Sequence, residues 1–159
     1  MDLTTMDIDG CAWDFNQEKM RNRAVRRLLR DKPVVLVGSP MCVPFSTMNS
    51  INYSRMDTPE VEQRTDYGRT HLQFCARLYK LQVDGGRYFI HEHPQSASSW
   101  HEGCIQKLLK EEGVQRVVGD QCMYGLKARE GNRIGPARKT IVSYTIICER
   151  GKETLKRRK

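Results

Sequence analysis

Short apolar runs and helical stripes alternate along this chain. Strands are predicted over residues 33–37, 87–92, 114–118 and 140–148, and the first of these is continuously apolar. Between them, apolar residues recur at helical spacing, which predicts helices over about 17–30, 58–83 and 101–112. Strands that alternate with helices are typical of an α/β fold with a mostly parallel sheet flanked by helices. A Gly- and Arg-rich loop precedes the last predicted strand.

Local signals suggest where the first two helices begin. Asp14 or Asn16 is placed to cap the first helix, whose inner face is predicted to hold Met20, Ala24 and Leu28. Thr58 and Pro59 supply an N-cap and a first-turn proline for the second helix. The apolar run at 33–37 is continuous and β-branched, so it predicts a strand that is covered on both faces.

Residues 38–46 put a cysteine directly after that strand. The chain leaves the strand through Gly38, Ser39 and Pro40, and it must therefore turn at the carboxyl end of the strand. Ligands and chemistry collect at this end of open α/β sheets. A cysteine held there, Cys42, can act as a nucleophile. The alternative is a small buried cysteine in a βα loop.

Glu92 follows the same logic at the next predicted strand. It lies at the carboxyl end of the strand and can therefore face the same crevice as Cys42. There its carboxylic acid can share a proton with a ring nitrogen of a ligand. A strand-end carboxylate in water is the alternative. His91 and His93 share one side of the strand, a spacing that can chelate a metal. Since the zinc deaminase signature and His-Glu-x-x-His are both missing, we expect no metal and two hydrogen-bonding histidines that hold the Glu92 loop.

Size and charge narrow the class of protein. The 159 residues suit one domain with a core of its own, and no apolar run approaches the roughly 20 residues of a membrane span. No signal-peptide pattern opens the chain, so we expect a soluble, intracellular protein, in the nucleus or the host cytoplasm. The six cysteines form no Cys-x-x-Cys pair, which argues against a zinc ribbon and a disulfide scaffold.

The net charge of +8 suits a polyanionic partner such as nucleic acid. The charge is concentrated on the helix at 17–30 and in the last eight residues. The alternative is a solvated helix face and a frayed terminus.

The cysteine segment resembles the catalytic loop of the DNA cytosine-C5 methyltransferases, whose motif reads Gly-Gly-Pro-Pro-Cys-Gln-x-Phe-Ser. The residues that match in register without a gap are Gly38, Pro40, Cys42, Phe45 and Ser46. The chain resembles still more closely a divergent branch of methyltransferase-like domains in phage and retroelement polyproteins. In that branch Ser-Pro-x-Cys precedes Glu-His-Pro and Ala-Ser-Ser-Trp, and here these motifs occupy 39–42, 92–94 and 97–100. The resemblance covers roughly residues 3 to 126, although Val43 replaces the usual glutamine.

The resemblance implies a partial Rossmann-like class I methyltransferase fold and a specific chemistry. The Cys42 thiolate would add to C6 of a cytosine flipped out of DNA, and Glu92 would hydrogen-bond N3 and the exocyclic amine of that base. The residues expected to contact S-adenosylmethionine are Asp2, Trp13, Asp14 and Pro40. Those expected to contact nucleic acid are Ser46, Arg133, Arg138 and Lys139. For Trp100 we favour a role in covering the core over base stacking.

By the same resemblance the chain opens at the family's second strand, and no cofactor-binding Gly loop precedes it. We therefore interpret residues 1–148 as an N-terminally truncated methyltransferase-like domain and 149–159 as a basic tail. Activity would then need an N-terminal segment from elsewhere, such as a larger polyprotein.

Two other functions remain open at this point. The first alternative is a non-enzymatic, retroelement-derived module that binds nucleic acid. An amino-group methyltransferase is less favoured, because residues 39–42 only loosely resemble Asp-Pro-Pro-Tyr and lack its base-stacking aromatic residue.

Overall fold

The computed structural model describes residue 10 and residues 13–120, 123, 125–130, 133–136 and 140–146. The helices of this part are α1 (Glu18–Asp31), α2 (Thr47–Tyr53), α3 (Thr58–Asp84) and α4 (Gly103–Leu108). The strands are β1 (Val35–Gly38), β2 (Tyr88–Pro94), β3 (Val114–Asp120), β4 (Lys127–Glu130), β5 (Arg133–Pro136) and β6 (Thr140–Ile146). At least one helix separates each of β1, β2 and β3 from the next, and the fold is of the mixed α/β class.

Four strands form one sheet in the order β1-β2-β6-β3. Strands β1 and β2 are parallel, and Gly38 lies opposite His91. Strand β6 runs antiparallel to both β2 and β3, so β1, β2 and β3 all point in the same direction. The sheet is therefore mixed rather than mostly parallel, because β6 separates β2 from β3 and only the β1–β2 pairing is parallel.

A hairpin explains the direction of β6. A parallel strand needs a crossover connection of a dozen or more residues, usually a helix. Between β3 and β6 the described residues contain instead the antiparallel pair β4–β5, with Lys127 opposite Pro136. This hairpin falls in the stretch where the sequence predicted a Gly- and Arg-rich loop, and the chain after it enters the sheet antiparallel.

The core is built on both sides of α3. One cluster joins α3 to β2 and α4, and includes Leu72, Tyr79, Phe89 and Ile105. A second cluster joins α3 to α1 and the segment before it, and its buried members are Trp13, Phe15, Ala24, Val25, Leu28, Phe74 and Leu78. Leu36 of β1 packs against both clusters and links them.

The other face of β1 is open to solvent. Leu36 points to the helices, whereas its neighbours Val35 and Val37 are 44% and 58% exposed. The prediction that this strand is covered on both faces is therefore wrong. A short apolar run does not distinguish a strand that is buried on two faces from one that is buried on a single face.

The predicted cap of α1 is also wrong. Gln17, not Asp14 or Asn16, precedes the first turn, and it makes no side-chain capping bond. Asp14 Oδ1 instead accepts hydrogen bonds from the backbone and side-chain N–H groups of Asn16, which forms a turn before the helix. The predicted inner face is confirmed, since Ala24 and Leu28 are buried.

The other helices differ from their predictions in length and number. α3 extends from Thr58 to Asp84, close to the predicted range, and Pro59 lies in its first turn as predicted. Its N-cap is Asp57, so the prediction of Thr58 as the cap is wrong. α4 is much shorter than the predicted helix at 101–112, since a 3₁₀ turn over Ser98–His101 precedes it and the helix already ends at Leu108. α2 was not predicted at all.

Candidate active site

A hydrogen bond joins the two predicted catalytic segments. β1 and β2 are adjacent and parallel, so the residues after Gly38 pass beside the end of β2. There the Ser39 hydroxyl donates to the Glu92 carboxylate, with 2.5 Å between Ser39 Oγ and Glu92 Oε2. This separation is at the short end of the range for hydrogen bonds between two oxygen atoms. Ser39 thus holds Glu92 at the loop that contains Cys42.

His93 fixes the same loop from the opposite face of β2. Its ring is fully buried, with Nε2 3.0 Å from the Pro40 carbonyl oxygen and Nδ1 2.6 Å from Ser99 Oγ. Burial lowers the pKa of His93 below the usual 6.5 and keeps the ring neutral. Because a carbonyl only accepts, Nε2–H donates to Pro40 and Nδ1 accepts from the Ser99 hydroxyl.

Cys42 lies at the start of a tight turn that is packed onto α3. It is half-buried and precedes the 3₁₀ turn Val43–Phe45, in which Pro44 and Phe45 are buried. The turn fits closely against Gly68 of α3, where an added Cβ would lie 2.7 Å from Pro44 Cγ. The helix therefore supports the cysteine turn at a position that only glycine leaves open.

Buried aromatic side chains lie beneath the loop. The Tyr79 hydroxyl is 3.1 Å from His91 Nδ1, and a side chain at Gly38 would collide with that hydroxyl. Trp100 is buried and its indole N–H donates to the Pro94 carbonyl at 2.7 Å. Trp100 is therefore a core residue, as expected. The three sequence motifs meet in space at this point, through His93, Ser99 and Trp100.

The two histidines do not form a metal site with other residues of the described part. The rings of His91 and His93 are stacked, with their centroids 5.1 Å apart. His91 contacts Tyr79 and His93 is bonded at both nitrogens. Among the described residues, no group of three or more His, Cys, Asp or Glu side chains could hold a metal ion.

The residues expected to contact S-adenosylmethionine have other roles in the structure. Trp13 is 3% exposed and lies in the core with Arg23 5.2 Å from its ring centroid. Asp14 is bonded to Asn16 and Gln17, and the Pro40 carbonyl accepts from His93. Asp2 lies outside the described residues. Their contact with S-adenosylmethionine stays a prediction.

The residues expected to contact nucleic acid are only partly described. Ser46 ends the 3₁₀ turn after Cys42 and is half-buried, and Arg133 begins β5. Arg138 and Lys139 lie outside the described residues.

The arginines of α1 are engaged in contacts within the protein. Arg21 donates to the Phe15 carbonyl at 2.7 Å, and Arg30 pairs with Asp31 at the same distance. Part of the positive charge of α1 is therefore engaged within the protein.

The structure also shows a pocket that the sequence did not predict. It has a volume of about 360 Å³ and lies between the cysteine loop, α2 and the first turns of α3. Its lining residues are Met41, Val43, Pro44, Tyr53, Gln63, Arg64 and Tyr67. Met41 and Val43 flank Cys42 in the sequence. Nothing in the periodicity of α3 marked Gln63 to Tyr67 as neighbours of the cysteine.

Comparison with known proteins identifies no relative. No protein-family model, curated protein or solved structure matches this chain. In the described residues, every helix is too short or too polar to cross a membrane. Any function therefore has to be inferred from the residues and their geometry.

Proposed function

We propose that this chain is a DNA cytosine-C5 methyltransferase-like protein in which Cys42 attacks the target base and Glu92 holds it. The observation that supports this most directly is the Ser39–Glu92 hydrogen bond, which joins residues 53 positions apart. It supports the proposal because it holds the Glu92 carboxylate beside the loop that contains Cys42. The His93–Pro40 bond fixes that loop from the other side of the strand.

The proposed step is the addition of a thiol across the C5–C6 bond of the cytosine ring. The Cys42 sulfur gives up its proton to water and, as the thiolate, forms a bond to C6, while the π electron pair of the C5–C6 bond moves to C5, which becomes nucleophilic. Without a methyl donor, C5 takes up a proton from water and the adduct is complete. Glu92 hydrogen-bonds N3 and stabilises the charge that the ring develops during this addition. The base has to leave the duplex to reach the loop.

The assignment of S-adenosylmethionine as the methyl donor rests on the sequence resemblance alone. S-adenosylmethionine would supply the methyl group to C5 and leave as the neutral thioether, and loss of the C5 proton and of the Cys42 thiolate from C6 would then restore the double bond. Since Trp13, Asp14 and Pro40 are engaged in other contacts, we assign no described residue to its binding. The test of Cys42 therefore needs a probe that reacts without a methyl donor.

Covalent trapping on DNA tests the proposal. A duplex with 2-pyrimidinone in place of the target cytosine needs no methyl donor for thiol addition, and a duplex with 5-fluorocytosine needs one. We expect mass spectrometry to detect a protein–DNA adduct with 2-pyrimidinone that Cys42→Ser abolishes. Glu92→Gln should slow adduct formation by about 100-fold or more, the usual range for a lost acid–base group.

The half-buried Cys104 provides the matched control, because Cys104→Ser should leave the adduct intact. An adduct with 2-pyrimidinone would confirm that the thiol adds to the base. If 5-fluorocytosine with S-adenosylmethionine then gave no adduct, methyl transfer by this chain would be contradicted. The absence of any adduct would overturn the enzyme proposal.

The second candidate is a nucleic-acid-binding module without catalysis, and the net charge of +8 favours it. It predicts binding that weakens steeply with salt and no dependence on Cys42. Binding without an adduct in the trapping experiment would favour this candidate.

A further inference from the structure

We infer that the pocket beside the cysteine loop holds the unpaired base next to the target in the bound strand. The inference rests on the proposed function, and it concerns a different group of residues from Cys42 and Glu92. The pocket is defined by the lining residues given above, and its volume of about 360 Å³ lies in the usual range for small-molecule sites.

The position of the pocket relates it to the target base. Met41 and Val43, the residues on either side of Cys42, both line it. A base bound at Cys42 is therefore next to the pocket mouth, and its nearest neighbour along the strand is the group within reach. Val43 is 54% exposed, so this apolar edge of the pocket is open to a ligand.

The lining favours a flat ring. Tyr53 and Tyr67 contribute two aromatic side chains, and Met41 a polarisable thioether. Stacking of a base on an aromatic ring accepts any base, because every base has a π-face. Tyr67 is 39% exposed and its hydroxyl accepts a hydrogen bond from Asn16, which holds the ring in place.

The polar groups favour a neutral base over a free anion. The Arg64 guanidinium is paired with the Glu60 carboxylate at 2.8 Å, so its charge is already compensated. Arg64 is the one cationic residue among those that line the pocket, so the lining offers no uncompensated positive charge to an anion.

Abasic probes test this inference on single-stranded DNA, in which no duplex has to open. Three oligonucleotides carry 2-pyrimidinone at the target position. In the first both neighbouring bases are intact, in the second the 5′ neighbour is abasic, and in the third the 3′ neighbour is abasic. Affinity is measured by fluorescence anisotropy at one salt concentration. We expect one abasic position to weaken binding about tenfold, the order of magnitude of one lost base–aromatic stack, and the other to have little effect.

Variants connect the effect to the pocket. Tyr67→Ala should weaken binding of the intact strand by the same factor and should remove the sensitivity to the abasic position. Tyr67→Phe keeps the ring and should keep that sensitivity. His101→Ala, at an exposed position of the turn before α4, is the control and should behave like the unmodified chain.

The outcomes separate this inference from the proposed function. Sensitivity to the abasic position without a covalent adduct would support the pocket and contradict catalysis by Cys42. An adduct with equal affinity for all three strands would overturn the pocket. Unchanged sensitivity in Tyr67→Ala would overturn it as well.

Discussion

His91 and His93 lie side by side on the inner face of β2, and neither ring is exposed to water. Burial, together with the smaller effect of the neighbouring His93, lowers the pKa of His91 to about 3. The sequence predicted that these histidines hold the Glu92 loop. The structure assigns them different partners, since His93 bonds to Pro40 and His91 to Tyr79.

The His91 pKa leads to a prediction about stability. The unfolded chain takes up a proton on this histidine near pH 6.5, and the folded chain only near pH 3. Stability should therefore fall as the pH drops through this window, approaching about 1.4 kcal/mol per pH unit for one proton. Thermal melting between pH 7 and pH 4 measures the slope.

The non-titrating variant His91→Gln should flatten that slope. The exposed His101 gives the matched control, because His101→Gln should leave it unchanged. An equal slope in His91→Gln and the unmodified chain would show that another group causes the pH dependence.

Helix α3 determines where the cysteine turn lies. Its sequence has the apolar spacing of a core helix, and this predicted the element well. The sequence does not indicate that Gly68 is a packing position, because a glycine inside a helix usually only lowers the stability of the helix. The structure shows that Pro44 and Phe45 pack on the space that Gly68 leaves.

Gly68→Ala tests this contact. Alanine favours helix by about 1 kcal/mol over glycine, but its Cβ would collide with Pro44. We expect the collision to displace the turn and to increase the rate at which iodoacetamide alkylates Cys42, measured by mass spectrometry of the peptide. Gly103→Ala is the control, since nothing lies within 4 Å of its added Cβ. A more stable Gly68→Ala protein with an unchanged alkylation rate would contradict the proposed packing.

At the scale of the whole molecule, α3 covers one face of the sheet, and Val35 and Val37 are exposed on the other. Small two-layer structures of this kind expose apolar surface that a protein with helices on both faces would bury. The sequence suggested a doubly covered strand because the run at 33–37 is continuously apolar. Which face a helix covers depends on contacts between distant segments, and a local pattern does not specify them.

The exposed face has a measurable consequence. Val37→Thr should change the free energy of unfolding by less than about 0.5 kcal/mol, as for other surface substitutions. Leu72→Ala, at a fully buried position of α3, should cost about 2 to 5 kcal/mol. Urea denaturation measures both. A loss above about 1 kcal/mol for Val37→Thr would mean that this face is buried in the folded protein, because a buried hydroxyl without a partner costs that much.

The sequence by itself determined the features that depend on neighbouring residues. Helical spacing predicted α3, and the apolar runs predicted strands that end before Cys42 and near Glu92. Only the tertiary structure decided the contacts between segments, including the Ser39–Glu92 and His93–Pro40 bonds and the antiparallel entry of β6. The physical reason is that spacing along the chain is a local property, whereas a bond between residues 53 positions apart depends on which strands pair and in which register.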